Sequence, residues 1–342
     1  MKNNDVYVLS AKQVSIQQPL SEDWMEQPIF PEEPYVRSLD PDFKKYVSPI
    51  EARRMGKILK RALATSKEAI ADSGLETVDA IVTGTGYGCV ENTEFFLDAL
   101  CKEGEQLLKP TFFMQSTHNT ISSLIAIQTK NHSFNATYAH KSISFDSALH
   151  DAWLQFSLGK INSALVGGHD EMTPVFYHIL KRGDVMGKDN EICGEAAVSV
   201  VLGRNAEKSL CKLSGMRVLY HPTIETLSKA VAILLKNAGK RIEDVDFILT
   251  GISGHEESDQ AYLAESETLF GQMPLLKYKH LFGESFTASG LGFYVAAQCL
   301  KAGKVPAHLF VNQEATSEKQ PHCILLYNRS DGKNFTLTLL EK

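Results

Sequence analysis

Apolar positions along the chain follow two periods, and the alternation between them predicts the elements. Residues 1–50 are broken up by Pro28, Pro31, Pro34, Pro41 and Pro49, so one short strand at 6–9 is expected before irregular chain. From Ile50 the period becomes helical. Met55, Ile58, Leu59, Ala62, Leu63, Ala69 and Ile70 recur at i, i+3, i+4 and i+7, which places them on one face. Gly74 supplies the residue that closes such a helix. A nearly continuous apolar run then follows, Val78-Asp79-Ala80-Ile81-Val82-Thr83-Gly84, and predicts a strand covered on both faces.

The same unit recurs. Leu227, Ala230, Val231, Leu234, Leu235 and Ala238 form a second helical face that ends at Gly239. Val245-Asp246-Phe247-Ile248-Leu249-Thr250-Gly251 follows it. Val78/Val245, Asp79/Asp246, Thr83/Thr250 and Gly84/Gly251 each stand 167 residues apart, about half the chain. That period is too long for a solenoid and points to a duplicated α/β half, with a largely parallel sheet under helices on both faces. Further strands are expected at 134–139, 163–166 (ending in Gly167-Gly168), 196–202, 324–327 and 335–340. Helices are expected near 116–130, 147–159 and 289–302. No linker-like tract separates the halves, taken as residues 1–205 and 206–342, so they are expected to share an interface.

Composition narrows the function. A chain of 342 residues, 43% of them hydrophobic, can bury a core without disulfides or metals. Net charge is -6 and the basic residues form only pairs such as Lys44-Lys45 and Arg53-Arg54, which argues against nucleic-acid binding. An acidic carrier-type partner needs only a small local patch and is compatible with that charge. The six cysteines have no C-x-x-C spacing and read as reduced, mostly buried thiols, so the cytosol is the expected compartment. Met1-Lys2-Asn3-Asn4-Asp5 precedes an apolar run too short for a signal or a span, and no run approaches the ~18 residues a membrane crossing needs. Gly84-x-Gly86-x-Gly88 lacks the spacing of a dinucleotide loop. The histidines are dispersed, so neither cofactor nor metal is expected.

Several segments, in order, resemble motifs of the β-ketoacyl synthases of fatty-acid and polyketide biosynthesis. Arg53-Arg54-Met55 is similar to the R-R-M segment of that family, and Thr83-Gly84-Thr85-Gly86-Tyr87-Gly88 to its first Gly-rich strand end. Thr117-His118-Asn119-Thr120 is similar to the segment entering the nucleophile region. Val166-Gly167-Gly168-His169-Asp170 resembles the G-G-x-E strand end, and Gly194-Glu195-Ala196-Ala197 the G-E-G-A turn. The segment from Gly283 to Gly290 resembles the late G-H-x-x-x-A-x-G helix start. The resemblance implies a thiolase-like fold, two duplicated α/β halves in a layered α-β-α-β-α arrangement.

It also implies a chemistry, and the chain departs from it. A condensing enzyme takes an acyl group onto a thiolate at a helix N-terminus, then stabilises an enolate with two histidines. Threading Asn135–Lys141 onto the nucleophile strand, without a gap to Ala152, puts Ser142 at the cysteine position. Ser142 reads either as a helix-capping serine or as a nucleophile assisted by His140, His255 or Glu284, with His150 also near in sequence. His140 alternates with Ser142 across the strand end, so the two side chains are expected on one side. Gly251 stands where the first family histidine belongs, with His255 four residues on, and Asp259 matches the aspartate of that loop. Glu284 stands at the second histidine position, and the family lysine is retained as Lys279. A carboxylate beside a lysine is expected to form an ion pair, and its charge opposes an enolate. The final loop, Asn328-Arg329-Ser330-Asp331-Gly332-Lys333-Asn334, lacks the gating phenylalanines.

The resemblance with its centre dismantled implies a non-catalytic, chain-length-factor-type partner of an active ketosynthase, in fatty-acid or polyketide biosynthesis including aryl polyene pigments. The implied partners are a homologous ketosynthase in a heterodimer, or a second copy, and an acyl carrier protein. The strand at 134–139 would then lie near the two-fold axis. An acyltransferase or thioester hydrolase using Ser142 is the alternative.

Overall fold

In a computed structural model, which describes residues 5–312 and 319–342, the apolar runs pair into a ten-stranded sheet. Residues 1–4, part of the start read as neither signal nor span, lie outside the described residues. The strands are β1 (Val6–Val14), β2 (Ala80–Gly84), β3 (Phe134–Tyr138), β4 (Ser163–Asp170) and β5 (Ala196–Gly203). The second half continues with β6 (Cys211–Tyr220), β7 (Phe247–Thr250), β8 (Leu275–Lys277), β9 (Cys323–Ser330) and β10 (Asn334–Glu341).

The strand order repeats. The first five run β1-β5-β4-β2-β3, and the second five run β6-β10-β9-β7-β8. In each half the last strand is antiparallel to both its neighbours, while the other pairs are parallel. The 167-residue period is therefore the mark of a doubled sheet, β2 and β7 being equivalent strands. The halves join where β1 pairs with β6 over Val6–Val8 and Cys211–Leu213.

Helices complete the layers. α1 (Lys57–Ser73) buries Ile58, Leu59, Ala62, Leu63 and Ala69 against β1, β4 and β5, and Gly74 ends it at φ +73°. α2 (Val90–Glu103) precedes α3 (Thr120–Gln128), which lies on the same outer face as α1, over β2 and β3. α4 (Ser144–Ser157) packs on β2, β3, β4 and β6. α5 (Pro174–Arg182) follows β4, and α6 (Ile224–Asn237) covers β6 and β10 with α7 (Glu256–Phe270) beside it. α8 (Ala288–Ala302) touches α4 and strands of both halves, and residues 288–300 are all buried. A helix apolar on every side belongs between two sheet layers, here the two five-stranded halves of the one sheet. The order is helix, sheet, helix, sheet, helix: the thiolase-like arrangement.

Several elements were not predicted. β6 alternates buried and half-buried positions, so it offers no continuous apolar run. Strand β1 likewise extends past 6–9, because Lys12 and Gln13 interrupt the apolar pattern. α5 buries only Leu180, and α7 only Tyr262, Ser266 and Phe270, too narrow a stripe to stand out against the polar positions. The helix expected at 116–130 is shorter, Thr120–Gln128.

Candidate functional site

The site forms where β3 turns into α4. Lys141 takes the left-handed conformation at φ +46°, and a short helical turn, Lys141–Ile143, leads into the helix. Ser144 ties this turn: its hydroxyl accepts from His140 N at 2.9 Å and donates to the Lys141 carbonyl at 2.6 Å. Ser142 is therefore not the capping residue. Its half-buried hydroxyl faces a cavity and touches the hydroxyl of Ser330. His140 lies apart, its Nδ1 at 3.1 Å from Ser147 Oγ in an exposed position. Strand alternation stops at His140 because the helical turn begins there, and the expected shared side is lost.

A cavity of about 390 Å³ brings together Ser142, Gly251, Lys279 and Glu284, with His255 and Asn328 also on its wall. Glu284 arrives by close backbone approach. Gly194 N donates to the Glu284 carbonyl at 2.9 Å and Glu284 N to the Ile192 carbonyl at 2.7 Å. A Cβ on Gly194 would fall 2.6 Å from the Phe282 carbonyl oxygen, and Gly283 is left-handed at φ +81°. Glycine at these two places lets the segment Cys193–Gly194 lie against the start of the late helix.

Lys279 Nζ stands 2.5 Å from Glu284 Oε2, and Ser285 N donates to the other oxygen at 3.0 Å. Burial pushes the Glu284 carboxyl up to about 7, with Lys279 pulling it back. Burial also works against the Lys279 charge, but Glu284, Tyr278 and Tyr262 outweigh it and hold the ammonium above its usual range. The pair is an ion pair inside the cavity.

Gly251 has no room for a side chain. A Cβ there would lie 2.4 Å from the Tyr262 hydroxyl and 3.2 Å from Asn328 Oδ1. His255 begins α7, and Asp259 accepts from Ser253 N at 3.0 Å and Gly254 N at 2.8 Å, so the loop between them is held by its own aspartate. The last wall is the β9–β10 hairpin. Asp331 and Gly332 are both left-handed, at φ +53° and +59°, the turn that an Asp-Gly pair between two strands signals.

Sequence reasoning named Asp170 only as part of a strand-end motif and missed Glu171, and both carboxylates stand behind the site. Asp170 accepts from Thr85 Oγ1 at 2.9 Å, Gly86 N at 2.8 Å and Tyr87 N at 3.1 Å. The N–H groups of the Gly-rich turn thus face a carboxylate instead of a phosphate. Glu171 accepts from Glu91 N at 3.0 Å and Ile58 N at 3.4 Å, at the first turns of α2 and α1. Burial, then the neighbouring Glu91 and Glu195, push its carboxyl up to about 8, against the Glu91 N–H and Arg61. The folded chain then holds a proton that the unfolded chain releases near an ordinary carboxyl pKa of about 4.3. Stability on this account falls as pH rises from about 4.3 to 8, by at most about 1.4 kcal/mol per pH unit. Glu171→Gln is expected to lose that slope, gaining on the parent as pH rises from 5 to 8 in urea titrations. Parallel pH curves for the two proteins would refute it.

Among the described residues no helix is long and apolar enough to cross a membrane. The family model of the Beta-ketoacyl synthase, N-terminal domain, matches residues 22–237. A 3-oxoacyl-[acyl-carrier-protein] synthase 2 from Mycobacterium leprae is 24% identical over 131 residues, which are 37% of this chain and 31% of that protein. The chain thus spans about a third of the length of that curated relative. Among solved structures, the ishigamide ketosynthase/chain length factor superposes with a TM-score of 0.80 at 16% identity, covering 99% of both chains. A Beta-ketoacyl synthase from Burkholderia phymatum gives 0.81 at 14% identity and 99% of both. A ketosynthase in complex with its chain length factor, from Xenorhabdus doucetiae, gives 0.76 at 15% identity and 98% of both.

Proposed function

Because the chain belongs to the β-ketoacyl synthase family, we propose that it is the non-catalytic, chain-length-factor-type partner of an active ketosynthase in fatty-acid or polyketide biosynthesis. One observation carries this reading. Where a condensing enzyme needs a thiolate and two imidazoles, the cavity holds a serine against Ser330, a Gly251 with no space beside it, and a Lys279–Glu284 pair. A serine hydroxyl needs an adjacent base to attack a thioester, and the group that touches Ser142 is another hydroxyl. A carboxylate opposes the enolate that the family histidines stabilise. The acyltransferase alternative therefore gains no support from this geometry.

The reading includes a heterodimer, a carrier protein that serves the pair, and a cytosolic location. The edge strand β3 supports the first, because it ends the sheet with Phe134 47% exposed, and α3, which packs on it, leaves Ile127 70% exposed. The division into halves at residues 205 and 206 is also part of the proposal. It rests on the strand order that repeats on either side of 204–210. The experiment is co-expression with a homologous ketosynthase, encoded beside this chain, that keeps the cysteine and both histidines. The expected result is an equimolar complex, with condensation seen only when both chains are present. A stable monomer or homodimer that retains no ketosynthase overturns the reading.

A further inference from the structure

We infer that Tyr262 is a positioning residue that has taken the space beside Gly251 and clamps the β9–β10 hairpin over Ser142. The inference stands apart from the ketosynthase partnership and concerns how the cavity is held.

Tyr262 is 1% exposed and begins the narrow buried stripe of α7, ahead of Ser266 and Phe270. Its hydroxyl donates to the Arg329 carbonyl at 2.9 Å and accepts from Arg329 N at 2.6 Å. One side chain thus satisfies both main-chain groups of the residue that precedes Ser330, whose own hydroxyl meets Ser142. The neighbouring Asn328 is held as well, its Oδ1 accepting from the Tyr278 hydroxyl at 3.3 Å. Tyr327 packs against the ring edge-on at 5.7 Å.

The same hydroxyl excludes a side chain at 251. A Cβ there would meet the Tyr262 oxygen at 2.4 Å and its Cζ at 3.2 Å. The first distance is impossible without movement, while the second asks for a shift of a few tenths of an ångström. Glycine at 251 and tyrosine at 262 are therefore one arrangement, and a histidine cannot return to 251 while the tyrosine stays. What the hydroxyl does instead is hydrogen-bond the hairpin that carries Asn328, Arg329 and Ser330 along the cavity wall.

Two measurements on the full chain test this. The first is a double-mutant cycle of Gly251→Ala and Tyr262→Phe, read by thermal unfolding. Gly251→Ala is expected to lower the midpoint at least about twice as far in the parent as in the Y262F background, because the closest oxygen is then gone. If G251A folds only when Y262F accompanies it, the coupling is equally supported. Equal losses in both backgrounds, or no folded double variant, overturn it. The second measurement does not need residue 251. Ser142→Cys is made together with Cys101→Ser, since Cys101 is the exposed native thiol, and labelled with a thiol reagent. Adding Y262F is expected to speed labelling about tenfold, the scale of one or two lost hydrogen bonds to a buried main chain. Leu234→Ala on α6 controls for general loosening and is expected to leave the rate alone. An unchanged rate with Y262F, or the same acceleration with L234A, overturns the clamp.

Discussion

Glu195→Ala is expected to cost about 3–5 kcal/mol of stability, a large fraction of what holds an ordinary domain together. The carboxylate is 2% exposed, and it faces Arg61, itself 1% exposed, with Nη1 at 2.8 Å. It also accepts from Ser38 N at 3.1 Å and Met172 N at 3.2 Å, and the Glu195 carbonyl accepts from the Ser38 hydroxyl at 2.7 Å. Alanine leaves a guanidinium in the core whose remaining ion pair among the described residues is with Asp40, at 2.5 Å and partly exposed. An unpaired buried charge costs far more than the pair gained when it formed. The segment from Tyr35 to Asp40 loses its anchor at the same stroke. Glu195→Gln keeps an acceptor for one of the two backbone N–H groups, which bond to different carboxylate oxygens, and is expected to lose less. The measurement is the chemical denaturation midpoint with its slope. A loss under about 1 kcal/mol for the alanine variant would mean that Arg61 finds water, and the network would not be structural.

The second large effect concerns association. If β3 is the edge that meets a ketosynthase, Phe134→Glu with Ile127→Glu is expected to weaken the complex by at least about 100-fold, near 2.7 kcal/mol. Both side chains are exposed in the free chain, so its own stability is expected to change by no more than about 0.5 kcal/mol. Titration calorimetry against the partner reads the first, and thermal unfolding of the free chain the second. Unaltered affinity in a folded double variant places the interface elsewhere and removes β3 from the account.

The buried strands and the ordered glycines were legible because each has a local physical cause. A fully covered strand must be apolar throughout, as at β2 and β7, and a helix that must stop finds its left-handed residue at Gly74. β6, α5 and α7 were not legible, since their burial alternates or occupies a narrow stripe that polar residues mask.

The sequence by itself determined the doubled half, through a period of 167 residues that reappears as one strand order twice over. It also singled out Ser142, Gly251 and Glu284 as the residues to place at the three chemical positions of the proposed reading. Only the tertiary structure decided what those groups do. Ser142 meets Ser330 from 188 residues away, Tyr262 fills the place beside Gly251, and His140 turns to Ser147. Backbone periodicity is local and leaves its mark on every few residues, whereas the neighbours of a cavity side chain come from other elements, some of them, like Ser330, far along the chain. Their identity is set by how the elements pack, and no local pattern records it.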